Sequence, residues 1–183
     1  MNIVKTTLKD CYIIEPKVIT DERGYFMESF NEKLFIEKTG IETHFVQDNQ
    51  SFSTQGVLRG LHYQCGAYAQ AKLVRVLQGE VLDVAVDIRP ESETFGKYES
   101  VILSAENQRQ FFVPKGFAHG FVVLSETATF FYKCDAYYNK ESEGGILFND
   151  EKLAIDWQFS LDKLIISEKD KVQPTLEKAR KIW

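Results

Sequence analysis

The sequence predicts an all-β sandwich or barrel with a few short helices at its periphery. From His44 onward, β-branched and aromatic runs alternate with turn residues, with a period of about eight to twelve residues. The chain has 183 residues, of which 44% are hydrophobic, so it is long enough to bury a full core. No internal repeat, linker or low-complexity segment interrupts it. We therefore expect residues 1–183 to form a single domain.

The N-terminal segment predicts an extended arm. Residues 11–20 are rich in β-branched and aromatic side chains, but they include Pro16, which cannot donate a hydrogen bond to a neighbouring strand. This segment is therefore predicted to be an edge strand or an arm. Asp21–Gly24 predicts a turn, and Tyr25–Phe30 predicts a short strand.

One helix is predicted in the first half of the chain. Asn31 is a favourable N-cap, and Leu34 and Phe35 would share one side of a helix that runs to about Lys38. Gly40 then occupies the position at which glycine commonly ends a helix.

The later strands are predicted from short apolar runs between turns. They are Lys72–Leu77, Val81–Ile88, Tyr98–Leu103, Gln110–Val113, Gly120–Leu124 and Thr127–Tyr132. Gln78–Glu80 contains a glycine and predicts a hairpin connection between the first two of these strands. Near the C-terminus, Ile155–Trp157 and Leu164–Ile166 predict short extended pieces. Pro174 begins a predicted final helix that runs to about Lys181.

Charge and cysteine content argue against several classes of protein. The net charge of -5 and the pI near 5.3 disfavour a protein that grips nucleic acid or anionic lipid. Cys11, Cys65 and Cys134 are odd in number and form no CxxC pair, which favours reduced thiols in a cytoplasmic protein. The sequence contains no signal-peptide pattern and no apolar run of about 18 residues, so we expect no membrane partner.

The stretch Gly56–Gln64 places Arg59 and His62 within an otherwise apolar, strand-like run. Burying either side chain without a partner costs free energy, which makes both candidates for a functional site. The alternative is a half-exposed core histidine and an arginine that reaches solvent. Strict alternation puts the two residues on opposite faces of a strand. A β-bulge at Gly60 would turn both toward one cavity.

Alternation also predicts which other polar side chains face the interior. Tyr132 falls on the same strand face as Phe130, so it is predicted to point into the barrel. Lys72 and Asp83 are the charged members of otherwise largely apolar faces of their strands.

The segment Pro114–His119 has the spacing PxGxxH, which resembles the second signature of the cupin barrels. In many cupins this histidine binds a metal together with an HxH pair and a glutamate. The chain has only the histidines His44, His62 and His119, and it has no HxH pair. Two histidines and a glutamine make a poor site for zinc or iron. We therefore expect no metal and no other cofactor, and chemistry by acid and base.

Six blocks together resemble the dTDP-4-dehydrorhamnose 3,5-epimerase family in order and spacing, from about Arg23 to Pro174. The blocks are Asp48–Ser51, Gly56–Gln64, Lys72–Val76, Asp83–Arg89, Val113–Phe121 and Phe131–Cys134. The resemblance implies a metal-free cupin or jelly-roll barrel that forms a homodimer, with an N-terminal arm reaching toward the partner. It also implies a nucleotide-sugar substrate, dTDP-4-dehydro-6-deoxy-D-glucose, inverted at C3 and C5 to give dTDP-4-dehydro-L-rhamnose.

The resemblance assigns roles to individual residues. His62 matches the base, Asp170 the carboxylate that orients it, and Tyr132 the proton donor. Lys72 matches a lysine near the developing enolate oxygen. The positions that match contacts to the nucleotide or diphosphate are Arg23, Glu28, Gln47, Asn49, Arg59, His119, Glu143 and Lys169. Phe26 and Tyr138 are candidates to stack on thymine or ribose, although a core role is equally compatible with an aromatic-rich chain.

Several alternatives remain open at the level of sequence. The loop Cys65–Gln70 departs from the proline-containing loop of many family members, so the chain could invert only C3 or C5, or act on a related nucleotide 4-keto sugar. Relatives that move the ketone between C3 and C4 are a further class, which the pairing of His62 with Tyr132 disfavours. An inactive sugar-nucleotide binding module and a metal-dependent cupin oxygenase are alternatives of other kinds.

Overall fold

The computed structural model describes residues 1–183 and confirms the predicted all-β architecture. The strands are β1 (Asn2–Lys5), β2 (Tyr12–Glu15), β3 (Val18–Asp21), β4 (Gly24–Met27), β5 (Gln47–Thr54), β6 (Val57–Gln64), β7 (Lys72–Gln78), β8 (Glu80–Asp87), β9 (Tyr98–Ser104), β10 (Gln110–Val113), β11 (Phe117–Val123), β12 (Thr127–Cys134), β13 (Glu143–Gly145) and β14 (Ile165–Ile166). The helices are α1 (Glu32–Thr39) and α2 (Glu168–Lys171). Neither helix has the length and apolar character that crossing a bilayer requires.

Two sheets face each other across an apolar core. The first has the order β1-β2-β10-β7-β12-β5, and the second has the order β13-β6-β11-β8-β9 with β14 beside β6. Val74 and Phe130 of the first sheet share one core cluster with Val81 and Phe121 of the second. This arrangement is the jelly-roll barrel that the sequence predicted.

The second sheet is covered on its outer side by the C-terminal segment. Leu82 and Val86 of β8 pack there with Trp157 and Ile182, while Val81 of the same strand faces the inner core. Because both faces are buried, β8 is a nearly continuous apolar run rather than an alternating one.

Helix α1 forms where its capping residues predicted it. The Asn31 side chain accepts a hydrogen bond from the Leu34 backbone N–H at 3.0 Å, an N-cap interaction worth about 1 kcal/mol. Gly40 ends the helix with φ of 72°, in the left-handed conformation that glycine adopts without strain. Phe35 is fully buried, and its ring lies 4.8 Å from that of Phe112, which fixes α1 on the outer face of the first sheet.

The prediction of an edge strand or arm over residues 11–20 is wrong for the first part of this segment. β2 is not an edge strand, because it pairs with β1 on one side and β10 on the other. Pro16 lies just after it, where the chain leaves the sheet. β3 and β4 then pair only with each other and form a projecting hairpin. β4 ends at Met27, three residues short of the predicted strand end at Phe30.

The predicted hairpin at Gln78–Glu80 is wrong. β7 and β8 do not pair, because β7 belongs to the first sheet and β8 to the second. Gly79 instead forms a corner at which the chain crosses between the sheets. Its φ is 78°, and a Cβ atom there would lie 2.0 Å from the Thr127 carbonyl oxygen, so this corner requires glycine.

The predicted final helix after Pro174 is also wrong. Only Leu176–Lys178 makes a single 3-10 turn, and the rest of the segment is not helical. The segment lies flat on the second sheet, where Ile182 is buried and its carbonyl accepts a hydrogen bond from the Gly66 N–H at 2.7 Å. These tertiary contacts outweigh helix propensity.

Ile155–Trp157, predicted as a short strand or extended piece, pairs with no strand and is held by side-chain contacts. Trp157 is buried, and its indole N–H donates to the Phe148 carbonyl at 2.9 Å. The other predicted piece, Leu164–Ile166, is confirmed as β14, which runs parallel to the start of β6.

Candidate active site

Two adjoining cavities open between the sheets around His62. The larger has a volume of about 640 Å³ and the smaller about 310 Å³. Five residues line both cavities and therefore mark the passage between them. They are Asn49, His62, Lys72, Tyr132 and Lys169. All five were among the site residues predicted from the sequence.

A β-bulge in β6 brings Arg59 and His62 to the same cavity. Arg59 pairs with Phe121 and His62 with His119, so two residues of β6 lie opposite one residue of β11. Gly60 adopts φ of 131°, and a Cβ atom there would clash with the backbone of β11. The predicted bulge is confirmed, and both side chains line the larger cavity.

Asp170 reaches His62 across 108 residues of chain. The parallel pairing of β14 with β6 places α2 beside the bulge, and the Ser167 hydroxyl caps this helix by accepting from the Asp170 N–H at 3.1 Å. One carboxylate oxygen of Asp170 lies 2.6 Å from His62 Nε2, and the other accepts a longer 3.4 Å bond from the Gly60 N–H. An ionised carboxylate only accepts hydrogen bonds, so Nε2 carries the proton and Nδ1 is left with the free lone pair.

The Asp170 carboxylate remains ionised although its side chain is only 5% exposed. Burial alone would raise its pKa. The hydrogen bond and charge of His62, with smaller contributions from Gly60 and Ser167, outweigh burial and bring the pKa below its usual value.

Tyr132 enters the cavity from the opposite wall. It lies on β12 of the first sheet, and its ring packs 6.0 Å from that of Phe130, as strand alternation predicted. Burial, and then the nearby Cys134, raise the pKa of Tyr132, which the positive charge of Arg59 only partly offsets. The phenol therefore keeps its proton at neutral pH and can act as an acid.

Lys72 lies beside Tyr132 at the start of β7. Its ammonium is 5.8 Å from the centre of the tyrosine ring and forms no ion pair with a carboxylate. Burial lowers the pKa of Lys72, while Cys134 and Asp83 raise it to a smaller extent. A desolvated cation in this position can stabilise negative charge that develops in the cavity.

His119 forms a second histidine–aspartate pair, which the sequence did not predict. Its Nε2 lies 2.9 and 3.0 Å from the two carboxylate oxygens of Asp83, and both residues are buried. His119 is also the direct cross-strand partner of His62. The position of Asp83 on an inward strand face was predicted, but strand periodicity does not indicate which side chain it contacts.

The smaller cavity ends in a group of polar and aromatic side chains. The Tyr138 hydroxyl donates to one oxygen of Glu143 at 3.0 Å, and the Lys169 ammonium donates to the other at 2.7 Å. Burial would raise the pKa of Glu143, but these two bonds lower it overall. Gln47 and Asn49 also line this end, with 3.0 Å between the Gln47 amide nitrogen and the Asn49 carbonyl oxygen.

Three predicted residues lie outside both cavities within this chain. Arg23 on the β3–β4 hairpin forms an exposed ion pair with Asp21, and Phe26 on the same hairpin is 69% exposed. Glu28 follows the hairpin and accepts a 3.1 Å hydrogen bond from Asn31. The single chain does not bring these residues to His62.

Comparison with known proteins identifies the family of the chain. The family model described as dTDP-4-dehydrorhamnose 3,5-epimerase matches residues 5–178. A curated protein of that name from Shigella flexneri is 57% identical over 170 residues, which cover 93% of each chain.

Two crystal structures share the fold of the chain. The dTDP-4-dehydrorhamnose 3,5-epimerase from Elizabethkingia anophelis NUHP1 superimposes with a TM-score of 0.94 at 64% identity, covering 97% of both chains. A dTDP-6-deoxy-D-glucose-3,5-epimerase from Legionella pneumophila Philadelphia 1, solved in complex with dTDP-4-keto-L-rhamnose, gives 0.93 at 55% identity and covers 97% of this chain and 93% of that one. The chain belongs to the dTDP-4-dehydrorhamnose 3,5-epimerase family.

Proposed function

We propose that His62 and Tyr132 carry out the reaction of this family, the epimerisation of dTDP-4-dehydro-6-deoxy-D-glucose at C3 and C5 to dTDP-4-dehydro-L-rhamnose. The observation that carries the proposal is their placement on opposite walls of one cavity, His62 on the second sheet and Tyr132 on the first. Inversion at a carbon requires that a proton leave from one face and another arrive at the opposite face. A base and an acid on facing walls meet this requirement.

The substrate explains why one base suffices for two carbons. The 4-keto group acidifies the hydrogens at both C3 and C5, because each carbanion delocalises onto the ketone oxygen as an enolate. In the chair of the D-gluco sugar these two hydrogens are axial on the same face. His62 Nδ1 can therefore abstract both in turn, and Tyr132 can deliver both protons from the other face, provided that between the two inversions the imidazolium loses its proton to solvent and the tyrosinate regains one from solvent.

Asp170 is a positioning residue in this mechanism. Its 2.6 Å bond to Nε2 holds the imidazole in the tautomer that leaves Nδ1 basic. The same carboxylate stabilises the imidazolium that forms after proton abstraction. Lys72 supplies the fixed positive charge for the enolate oxygen, where it stabilises the transition state more than the neutral ketone. No cofactor is required, because the ketone of the substrate supplies the acidity.

The remaining predicted residues fit the nucleotide end of the substrate. Arg59, His119 and Lys169 provide donors and positive charge for the diphosphate, and Asp83 holds the His119 ring in place. Tyr138 offers an aromatic face to the thymine ring. Gln47, Asn49 and Glu143 are proposed to make the other contacts to the nucleotide.

Homodimer formation would complete the site. The β3–β4 hairpin pairs with no other strand and exposes Ile19, Tyr25 and Phe26, which suits a surface that a partner covers. We propose that Arg23, Phe26 and Glu28 of each chain reach the nucleotide in the partner's cavity. The acidic charge and the three free, buried cysteines support a single-domain cytoplasmic enzyme that binds neither nucleic acid nor membrane.

The reaction is tested by incubating the protein with the 4-keto sugar nucleotide in deuterium oxide. We expect deuterium at both C3 and C5 of the product, because both protons are exchanged during inversion. Mass spectrometry and NMR would report the number and the positions of the labels. Label at one carbon alone would favour a single-position epimerase, and no label in either position would rule out the proposed reaction.

The exchange of arms predicts complementation between two impaired variants. Arg23→Ala lacks the arm contact and His62→Ala lacks the base, yet a mixed dimer contains one site with both residues intact. Mixed dimers, purified through two different tags, should recover about half of the wild-type turnover per dimer. Activity no higher than that of either parent homodimer would mean that Arg23 does not act across the interface.

A further inference from the structure

The loop that carries Tyr138 is fixed to both sheets by glutamine side chains. Gln47 begins β5 of the first sheet, and its side-chain oxygen accepts a hydrogen bond from the Tyr138 backbone N–H at 3.1 Å. Gln64 ends β6 of the second sheet, and its oxygen accepts from the Asn139 N–H, also at 3.1 Å. Two consecutive residues of the loop are therefore anchored to opposite walls of the smaller cavity.

A third glutamine holds the beginning of the same loop. The Gln70 side-chain amide donates to the Ala136 carbonyl at 2.8 Å. Next to it, the Asp135 carboxylate accepts from the Ala71 N–H at 2.7 Å. The backbone between residues 136 and 139 thus has side-chain hydrogen bonds at both ends.

These contacts fix Tyr138, an aromatic residue that is not part of the buried core. Tyr138 is 53% exposed, and its hydroxyl is also held, by Glu143 at 3.0 Å. Ordering an exposed side chain costs conformational entropy and gains little from burial. The cost is offset when a ligand stacks on the ring, because a preorganised surface loses less freedom on binding. Gln64, Gln70 and Tyr138 all line the smaller cavity.

We propose that Gln64 and Gln70 are positioning residues that hold Tyr138 as a stacking surface for the thymine base. The proposal rests on the proposed function, in which this cavity receives the nucleotide. The two glutamines set nucleotide affinity through Tyr138 and take no part in proton transfer. Gln64 is buried, so its amide oxygen is committed to the loop backbone and is not free for solvent.

The test is a double-mutant cycle with dTDP as the probe. Gln64→Met and Gln70→Met are made alone and together with Tyr138→Ala. When Tyr138 is unchanged, each glutamine substitution is expected to raise the Kd for dTDP and the KM for the keto sugar about three- to tenfold. This is the effect that the loss of one hydrogen bond predicts. The value of kcat should stay within about twofold of the wild-type value, because the thymine ring lies far from C3 and C5 of the sugar. With Tyr138→Ala present, each substitution should add less than about twofold.

A matched control is available in the turn between β5 and β6. The Gln55 amide donates to the Leu124 carbonyl at 2.8 Å, and Gln55 lines neither cavity. Gln55→Met removes the same kind of bond and should leave Kd, KM and kcat unchanged. Thermal unfolding of each variant reports whether the fold persists. Gln70 is only partly buried, so Gln70→Met tests the idea even where Gln64→Met lowers stability strongly.

Two outcomes separate this idea from the proposed function. Equal effects of the glutamine substitutions with and without the Tyr138 ring, in an enzyme that binds dTDP and epimerises the sugar, would overturn the positioning role alone. A loss of kcat with an unchanged Kd for dTDP would do the same. A wild-type protein that neither binds dTDP nor exchanges label would overturn the proposed function and the positioning role together.

Discussion

Replacing His62 with alanine should lower kcat by about 10³-fold, the effect expected when a general base is removed. The substitution takes away the imidazole that has a carboxylate partner and lines both cavities together with Tyr132. Affinity for dTDP should change little, since the proposed nucleotide contacts are made by other residues. Turnover is measured by following conversion of the keto sugar, and binding by calorimetry with dTDP.

The same variant affects stability in a defined direction. Asp170 loses its strongest hydrogen bond and remains buried, which costs about 1–3 kcal/mol. Its pKa should rise, because the bond to His62 is the main contribution that opposes burial. The stability that depends on ionised Asp170 is present above the unfolded-state pKa and is lost as the pH falls through the lowered folded-state value. The variant should therefore unfold with a weaker dependence on acidic pH than the wild type.

Two companion variants make the His62 result specific. Asp170→Asn keeps the shape of the pair but removes its charge, so kcat should fall by about 10²-fold or more with little change in dTDP binding. His44→Ala removes an exposed histidine that pairs with Glu32 at 3.0 Å and lines neither cavity, so it should have no effect on turnover. Turnover by His62→Ala within about tenfold of wild type would be incompatible with its role as the base.

The parts of the fold that could be predicted from the sequence depend on local chemistry. Asn31 and Gly40 act within one helical turn, so α1 was predicted with nearly its observed ends. Strand alternation placed Tyr132 inward correctly, because its period does not depend on partners. At Gly79 the local pattern was insufficient. A glycine turn between two apolar runs fits a hairpin and a corner between sheets equally well, and only long-range pairing distinguishes them.

In the candidate site, too, the features that depend on long-range pairing could not be predicted from the sequence. The pairing of His62 with Asp170 depends on β14, a two-residue strand more than a hundred residues further along the chain. The sequence predicted this extended piece but not its parallel pairing with β6. The family resemblance suggested Asp170 as the partner of His62, but only the folded structure shows that the two side chains are within hydrogen-bond distance. Asp83 was predicted to face inward, and its bond to His119 was not predicted, because cross-strand register determines it. Arg23 lies outside both cavities in the single chain, so its proposed role depends on a second chain.

Replacing Tyr132 with phenylalanine should separate proton removal from inversion. The variant keeps the ring and its packing 6.0 Å from Phe130, but it loses the hydroxyl that we propose supplies the proton. Inversion should fall by about 10²- to 10⁴-fold, the usual contribution of a general acid. His62 and Asp170 are intact, so His62 can still abstract a proton, and the imidazolium can return one from solvent to the same face. In deuterium oxide the recovered substrate should therefore gain label without inversion.

This outcome depends on which wall each group occupies, and so it tests the geometry directly. If Tyr132 were only a packing residue, phenylalanine would retain inversion at nearly the wild-type rate. If it were the base, exchange and inversion would be lost together. Tyr12→Phe is the matched control, since Tyr12 lies on β2 and lines neither cavity, and it should retain wild-type inversion and labelling. Label in the recovered substrate with its configuration unchanged is expected only if His62 removes protons on one face and Tyr132 supplies them on the other.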